Sequence, residues 1–151
     1  MRLYFLRHGA ADWPKWEGSD DDRPLTKSGE KEMHQVGKFL ARLTTKVDVV
    51  LTSPLPRAAQ TADIAAQHLK QRVHEERLLA PGFQAADLAR IRRKYPQQIL
   101  MLVGHEPDFS RVVGALTGGR VKFAKAGVAL VDVTDGEGQL LWLFPPRVAK
   151  S

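Results

Sequence analysis

The N-terminal stretch Leu3-Tyr4-Phe5-Leu6-Arg7-His8-Gly9 decides how the rest of this 151-residue chain is read. Four consecutive apolar residues, two of them aromatic, make a run that is short and rich in strand-favouring types. It breaks off abruptly at Arg7-His8-Gly9, so it reads as a buried strand feeding a loop. The same arrangement recurs downstream. Val47-Asp48-Val49-Val50-Leu51 is a second strand, closed by Ser53-Pro54, and Ile99-Leu100-Met101-Leu102-Val103 is the clearest strand of all, running into Gly104-His105. A weaker strand is expected at Val73-His74.

Helical patterns fill the intervals. Residues 10–24, with Pro14, Gly18 and the acidic run Asp20-Asp21-Asp22, read as a loop whose acids are solvated. Thr26 is placed to cap a following helix, with Glu30 in its first turn. Met33, Val36, Leu40 and Leu43 then recur at helical spacing on one face. Ala58, Ala62, Ala65 and Leu69 mark a second helix whose small residues allow close approach to a sheet. Leu88, Ile91 and Tyr95 suggest a third. Pro107 suits the first position of a fourth, with Phe109, Val112, Val113 and Leu116 as its apolar face and Gly118-Gly119 as its end. The last third changes character: residues 128–133 and 140–144 are strand-like, separated by the turn signal Asp135-Gly136-Glu137-Gly138. Alternation followed by a hairpin predicts an α/β three-layer sandwich. Its sheet is mainly parallel, with helices on both faces and an antiparallel C-terminal hairpin at one edge. One domain, residues 1–151, accommodates everything.

Composition narrows the function classes. With no cysteine, the chain has no disulfide framework, no thiolate catalysis and no Cys-based zinc site. No run approaches a membrane span, and the N-terminal apolar segment stops too early for a signal peptide, so a cytoplasmic, membrane-free protein is expected. A net charge of +6 favours anionic partners, yet the basic residues are dispersed rather than interleaved with aromatics, which argues against nucleic acid. No apolar stripe is left over for a dimer, so a monomer is the default.

In open α/β sheets, ligands sit beyond the carboxyl ends of the parallel strands. Three strand ends here bring ionisable groups to that edge: Arg7-His8-Gly9, then Thr52-Ser53-Pro54 leading to Arg57, and Gly104-His105-Glu106. Arginine forks match phosphate oxygens, and a neutral imidazole is a nucleophile that forms covalent intermediates. A second histidine, if protonated, adds a donor for the charge on a transferring phosphoryl group. Each residue alone has an ordinary reading as a solvated or turn residue; their shared edge is what raises all four. His34, His68 and His74 lie within predicted elements and read as structural or solvated.

Leu6-Arg7-His8-Gly9 resembles the signature of the histidine phosphatase superfamily, the phosphoglycerate mutase-like fold. The likeness extends to Arg23-Pro24-Leu25-Thr26 with Gly29, to residues 52–62 (Thr-Ser-Pro-x-x-Arg-Ala-x-Gln-Thr-Ala), and to Val103-Gly104-His105-Glu106-Pro107, in the family's order. The short length looks most like the phosphohistidine phosphatase SixA branch. The resemblance implies that His8 attacks phosphorus and carries a phosphohistidine intermediate, and that Gly9 shapes its loop. Arg7, Arg57 and His105 would clamp the phosphoryl oxygens, with no metal or cofactor. Many members also place a carboxylic acid after the third strand. Here Leu78 and Leu79 stand in that stretch, and Glu76 and Glu106 are the candidates to consider, Glu106 being equally suited to cap the helix after it. An imidazole already protonated on its other nitrogen leaves without a general acid, whereas an alkoxide benefits from one. The expected substrate is therefore phosphohistidine on a protein. The alternatives are a small phosphomonoester or phosphoanhydride, and a non-catalytic phosphoprotein-binding module. Trp13 and Trp16 in the 10–24 loop are expected either to pin that loop or to meet a partner at the site's rim.

Overall fold

Residues 1–43 and 46–150 are described by a computed structural model; Thr44, Thr45 and Ser151 lie outside the described residues. The six strands are β1 (Arg2–Arg7), β2 (Val49–Thr52), β3 (Val73–Glu75), β4 (Ile99–Gly104), β5 (Val128–Thr134) and β6 (Glu137–Phe144). They form one sheet in the order β3-β2-β4-β1-β5-β6. The first four are parallel, and β5 and β6 join antiparallel at one edge. Helices α1 (Lys27–Arg42), α2 (Pro56–Leu69), α3 (Asp87–Lys94) and α4 (Asp108–Thr117) connect them.

Two apolar layers flank the sheet. On one face Met33, Val36 and Leu40 of α1 and Ala58, Ala62 and Ala65 of α2 pack on Tyr4, Leu6, Val50 and Met101. On the other, Leu88 and Ile91 of α3 and Phe109, Val112 and Val113 of α4 pack on Leu3, Phe5, Leu51 and Leu102. Helices thus cover both faces, because the central strands alternate two apolar sets rather than one apolar and one polar set.

Several boundaries differ from the sequence reading for identifiable reasons. Leu43 was expected on the buried face of α1 but is half-exposed at the helix's C-cap. The second strand starts at Val49, since Asp48 turns its carboxylate to accept from the Ile99 N–H. Pro107 sits at the N-cap of α4 rather than inside it, behind a cis Glu106-Pro107 bond. The turn between β5 and β6 is only Asp135-Gly136, both at positive φ, so that Glu137 and Gly138 belong to β6. The acidic run forms a single 3₁₀ turn within the 10–24 loop.

The start of α1 explains the Arg-Pro-Leu-Thr-x-x-Gly spacing. Thr26 caps the helix by accepting from the Gly29 N–H at 3.0 Å, and its own N–H donates to the Ala10 carbonyl. The Leu25 N–H donates to Gln60 of α2. Gly29 faces the loop after β1 so closely that a Cβ there would lie 2.3 Å from the Ala10 oxygen. This helix start is therefore docked on the segment that follows His8. Gly29→Ala should push the two apart, with about 1–3 kcal/mol of destabilisation measured by denaturant unfolding and a matching loss of activity.

Candidate active site

The strand register sets the site. Arg7 pairs with Gly104, and Thr52 with Val103, so the carboxyl ends of β1, β4 and β2 are level. The ladder extends one step further, with the His8 N–H on the Gly104 carbonyl and the Ser53 N–H on the Val103 carbonyl. His8, His105 and Ser53 therefore leave the sheet side by side. Arg57 arrives from the first turn of α2. The rings of His8 and His105 lie 5.3 Å apart between centroids, and both residues are buried, as is Arg57.

Each side chain is held by backbone. The His8 Nδ1 lies 2.7 Å from the Gly9 carbonyl, which can only accept, so Nδ1 carries the proton and Nε2 is left with its lone pair. Gly9 is itself positioned by its N–H on Thr61 Oγ1, while that hydroxyl donates to the Arg57 carbonyl. Arg7 donates through Nη1 to the Phe123 carbonyl at 2.8 Å, and Arg57 through Nη1 to the Asp20 carbonyl at 3.1 Å. Neither guanidinium forms an ion pair with a carboxylate among the described residues. Their Nε atoms and the His105 Nδ1 are the buried side-chain nitrogens without a hydrogen-bond partner among the described residues.

Burial and positive neighbours keep both imidazoles neutral. Loss of solvent, followed by the charges of Arg57 and Arg7, pushes His8 down to about 4 despite the opposing Gly9 bond. Burial, then His8 and the same arginines, pushes His105 down to about 3. His105 is thus a neutral ring at neutral pH, so the condition attached to it in the sequence reading, that it be protonated, is not met. Burial foremost, then Arg23, also lowers Arg57.

The sequence reading missed Ser53, Thr61, Arg23 and Asp12. Ser53 is fully buried with Oγ 2.7 Å from His105 Nε2, and it also accepts from the Leu55 N–H. Arg23 reaches toward the site from the loop, donating to Ala11 and Asp20 and acting on both His8 and Arg57 through its charge. It stood in a quoted motif, which was the available signal. Asp12 is held below the usual carboxylate range by Lys125, with which it forms an ion pair joining the loop after β1 to the loop before β5.

The two glutamates considered as acids are engaged elsewhere. Glu106 caps α4, accepting from the backbone and hydroxyl of Ser110. Glu76 is buried, accepting from the Leu78 N–H at 2.8 Å and pairing with Lys94 at 3.0 Å. Among the described residues, no three His, Asp or Glu side chains gather to hold a metal ion. Nor, among the described residues, is any helix long and apolar enough to cross a membrane.

The profile of the histidine phosphatase superfamily (branch 1) matches residues 3–114. The chain belongs to the histidine phosphatase superfamily. An uncharacterized protein of Picosynechococcus sp. is 40% identical over 165 residues, covering 96% of this chain and all of its own. The uncharacterized phosphatase PhoE of Bacillus subtilis is 25% identical over 150 residues, covering 76% of each chain. The structure of the protein histidine phosphatase SixA complexed with tungstate superposes with a TM-score of 0.88 at 25% identity, covering 99% of this chain and 100% of that one. The fold is accordingly phosphoglycerate mutase-like, and the chain is a phosphatase-type hydrolase.

Both depressed histidines bear on pH. Below pH 6.5 the unfolded chain takes up protons that the folded site refuses until about 4 for His8 and about 3 for His105. Stability contributed by these rings is therefore complete above 6.5 and declines as pH falls through that window. Melting temperature should drop from pH 7 to 4, with a shallower slope in His105→Gln. The acid limb of kcat/KM should fall near pH 4, where the free enzyme's His8 protonates, rather than near 6.5.

Proposed function

We propose that this protein is a phosphohistidine phosphatase acting on a phosphorylated protein through a covalent intermediate on His8. One observation supports the anion site above all. The buried nitrogens without partners belong to Arg7, Arg57 and His105, the three residues that sequence reasoning assigned to the phosphoryl oxygens. Buried donors are ordinarily satisfied, so a set of them converging at one sheet edge fits an anionic ligand.

The chemistry follows from the two tautomers. The lone pair of His8 Nε2 attacks phosphorus, forming an N–P bond, while the bond from phosphorus to the substrate's imidazole breaks and its electron pair returns to that ring. The ring leaves neutral because its other nitrogen bears a proton. Water then adds to phosphorus, the His8 N–P bond breaks, and the water's proton passes to the released phosphate. Arg7 and Arg57 neutralise charge on the transferring group, their guanidinium groups being tied to peptide carbonyls rather than to carboxylates. In this reading the Ser53 hydroxyl, which accepts from the Leu55 N–H, donates its own proton to His105 Nε2. His105 Nδ1 then keeps its proton and is an N–H donor toward phosphoryl oxygen without any positive charge of its own.

Among the described residues, the engagement of Glu76, Glu106 and Asp12 favours phosphohistidine over an ester. Glu76 and Glu106 spend their oxygens on backbone and Lys94, and Lys125 keeps Asp12 ionised, the wrong state for protonating an alkoxide. The likeness in fold to a solved protein histidine phosphatase SixA supports the same reading.

Incubation with a phosphohistidine protein should place an acid-labile phosphoryl group on His8. His8→Ala should abolish both the label and turnover while leaving the circular dichroism unchanged; turnover that persists in this variant defeats the mechanism. Ser53→Ala should lower kcat/KM roughly tenfold, the order expected for one buried hydrogen bond. If sugar phosphates are hydrolysed faster than phosphohistidine, and Glu76→Gln or Glu106→Gln removes that rate, the phosphomonoester alternative is the correct one.

A further inference from the structure

The 10–24 loop exposes two indoles beside this site, and the fold gives no reason for it. Trp13 and Trp16 are 39% and 37% exposed, although each N–H is satisfied, on the Pro24 and Ser19 carbonyls respectively. Those bonds hold the two rings 6.3 Å apart between centroids, and Trp16 also packs on Gly18, yet more than a third of each residue stays exposed. Both sequence readings of these residues therefore remain in play: the N–H groups pin the loop, and exposed ring surface is left over.

Between them opens a surface cavity of about 540 Å³ lined by Trp13, Pro14, Lys15, Trp16, Gly18, Asp20 and Arg23. Two of its walls are shared with the phosphoryl site. The Asp20 carbonyl anchors Arg57, and Arg23 acts electrostatically on His8 and Arg57. The cavity thus adjoins the anion site through Asp20 and Arg23, although His8, Arg57 and His105 do not line it. Its internal charge is also uneven: Asp20 is paired with Arg23 at 2.8 Å, whereas Lys15 has no ion-pair partner among the described residues. Glu17, Asp21 and Asp22 of the same loop do not line it.

We propose that this shelf receives the polypeptide flanking the phosphorylated residue, an apolar or aromatic side chain lying on the indoles and a carboxylate meeting Lys15. The inference rests on the protein-phosphohistidine reading above. Asp20 and Arg23, which serve both the shelf and the residues around His8, make its occupant part of the same substrate, and a shelf that His8, Arg57 and His105 do not line fits a chain flanking the phosphoryl group better than a small metabolite. Indoles give large contact area at little conformational cost, and the lone Lys15 selects an acidic neighbour.

The test compares three chemically prepared substrates: free phosphohistidine, a phosphohistidine peptide flanked by Leu and Glu, and one flanked by Ala and Lys. Wild type should show a KM about tenfold lower for the Leu/Glu peptide than for the other two, the effect of one good aromatic contact. Trp16→Ala and Lys15→Glu should each erode that preference and leave kcat/KM on free phosphohistidine within about twofold. Trp16→Phe, which keeps a ring but loses the N–H, should retain most of it. Equal losses on peptide and free amino acid would mean that the indoles only support the loop, and would overturn the proposal; so would a wild type that treats all three alike. Should wild type cleave phosphoserine peptides and p-nitrophenyl phosphate but no phosphohistidine, the substrate reading fails instead. The same peptide-against-small-molecule comparison then still decides the shelf.

Discussion

Two guanidinium groups and two imidazoles meet at the end of one parallel sheet, with no carboxylate paired to the arginines among the described residues. Such a concentration of donors is costly to bury, and the surrounding structure is arranged to bear the cost. The histidines respond by staying neutral, which removes two of the four positive charges the residue types allow. The arginines cannot respond in that way and instead lean on peptide carbonyls, Phe123 for Arg7 and Asp20 for Arg57. What remains is a cluster with buried nitrogens that have no partner among the described residues, beside a His8 ring that holds a lone pair at neutral pH.

The sheet makes this possible because β1, β2 and β4 are parallel and in level register. The loop after β1 is then tied to two helices, Ala10 against Gly29 of α1 and Gly9 to Thr61 of α2, and Glu106 after β4 is tied to the head of α4. Packing of α1 and α2 on one face and α3 and α4 on the other thus carries directly into the placement of His8, Arg57 and His105. Stability and function share these contacts, so a substitution at a helix start affects both.

Much of this was legible in the sequence, and for local reasons. Apolar runs ending in Arg-His-Gly and Gly-His announced β1 and β4, and the shared edge of a parallel sheet brought Arg7, His8, Arg57 and His105 together before any coordinates. What escaped was set by distance through space. Ser53 looked like the end of a strand, and only the register of β2 on β4 puts its hydroxyl on His105. The charge state of His105 was left conditional, because its sequence neighbours say nothing of how deeply it is buried or how near the arginines stand. Glu76 and Glu106 drew notice as spare acids, since a sequence does not reveal that Lys94, Leu78 and Ser110 have already claimed their oxygens. Leu43 fitted the helical period but came one residue past the last turn that the core covers.

The choice of backbone carbonyls as anchors for Arg7 and Arg57 has an evolutionary side. A peptide oxygen is present whatever side chain its residue bears, so exposed residue 20 can change identity and still hold Arg57, provided its loop keeps its course. Residue 123 has no such latitude, because Phe123 fills the core against Phe109 as well as anchoring Arg7. The two arginines thus differ in how freely the segments that hold them can vary, the 10–24 loop being the looser of the two.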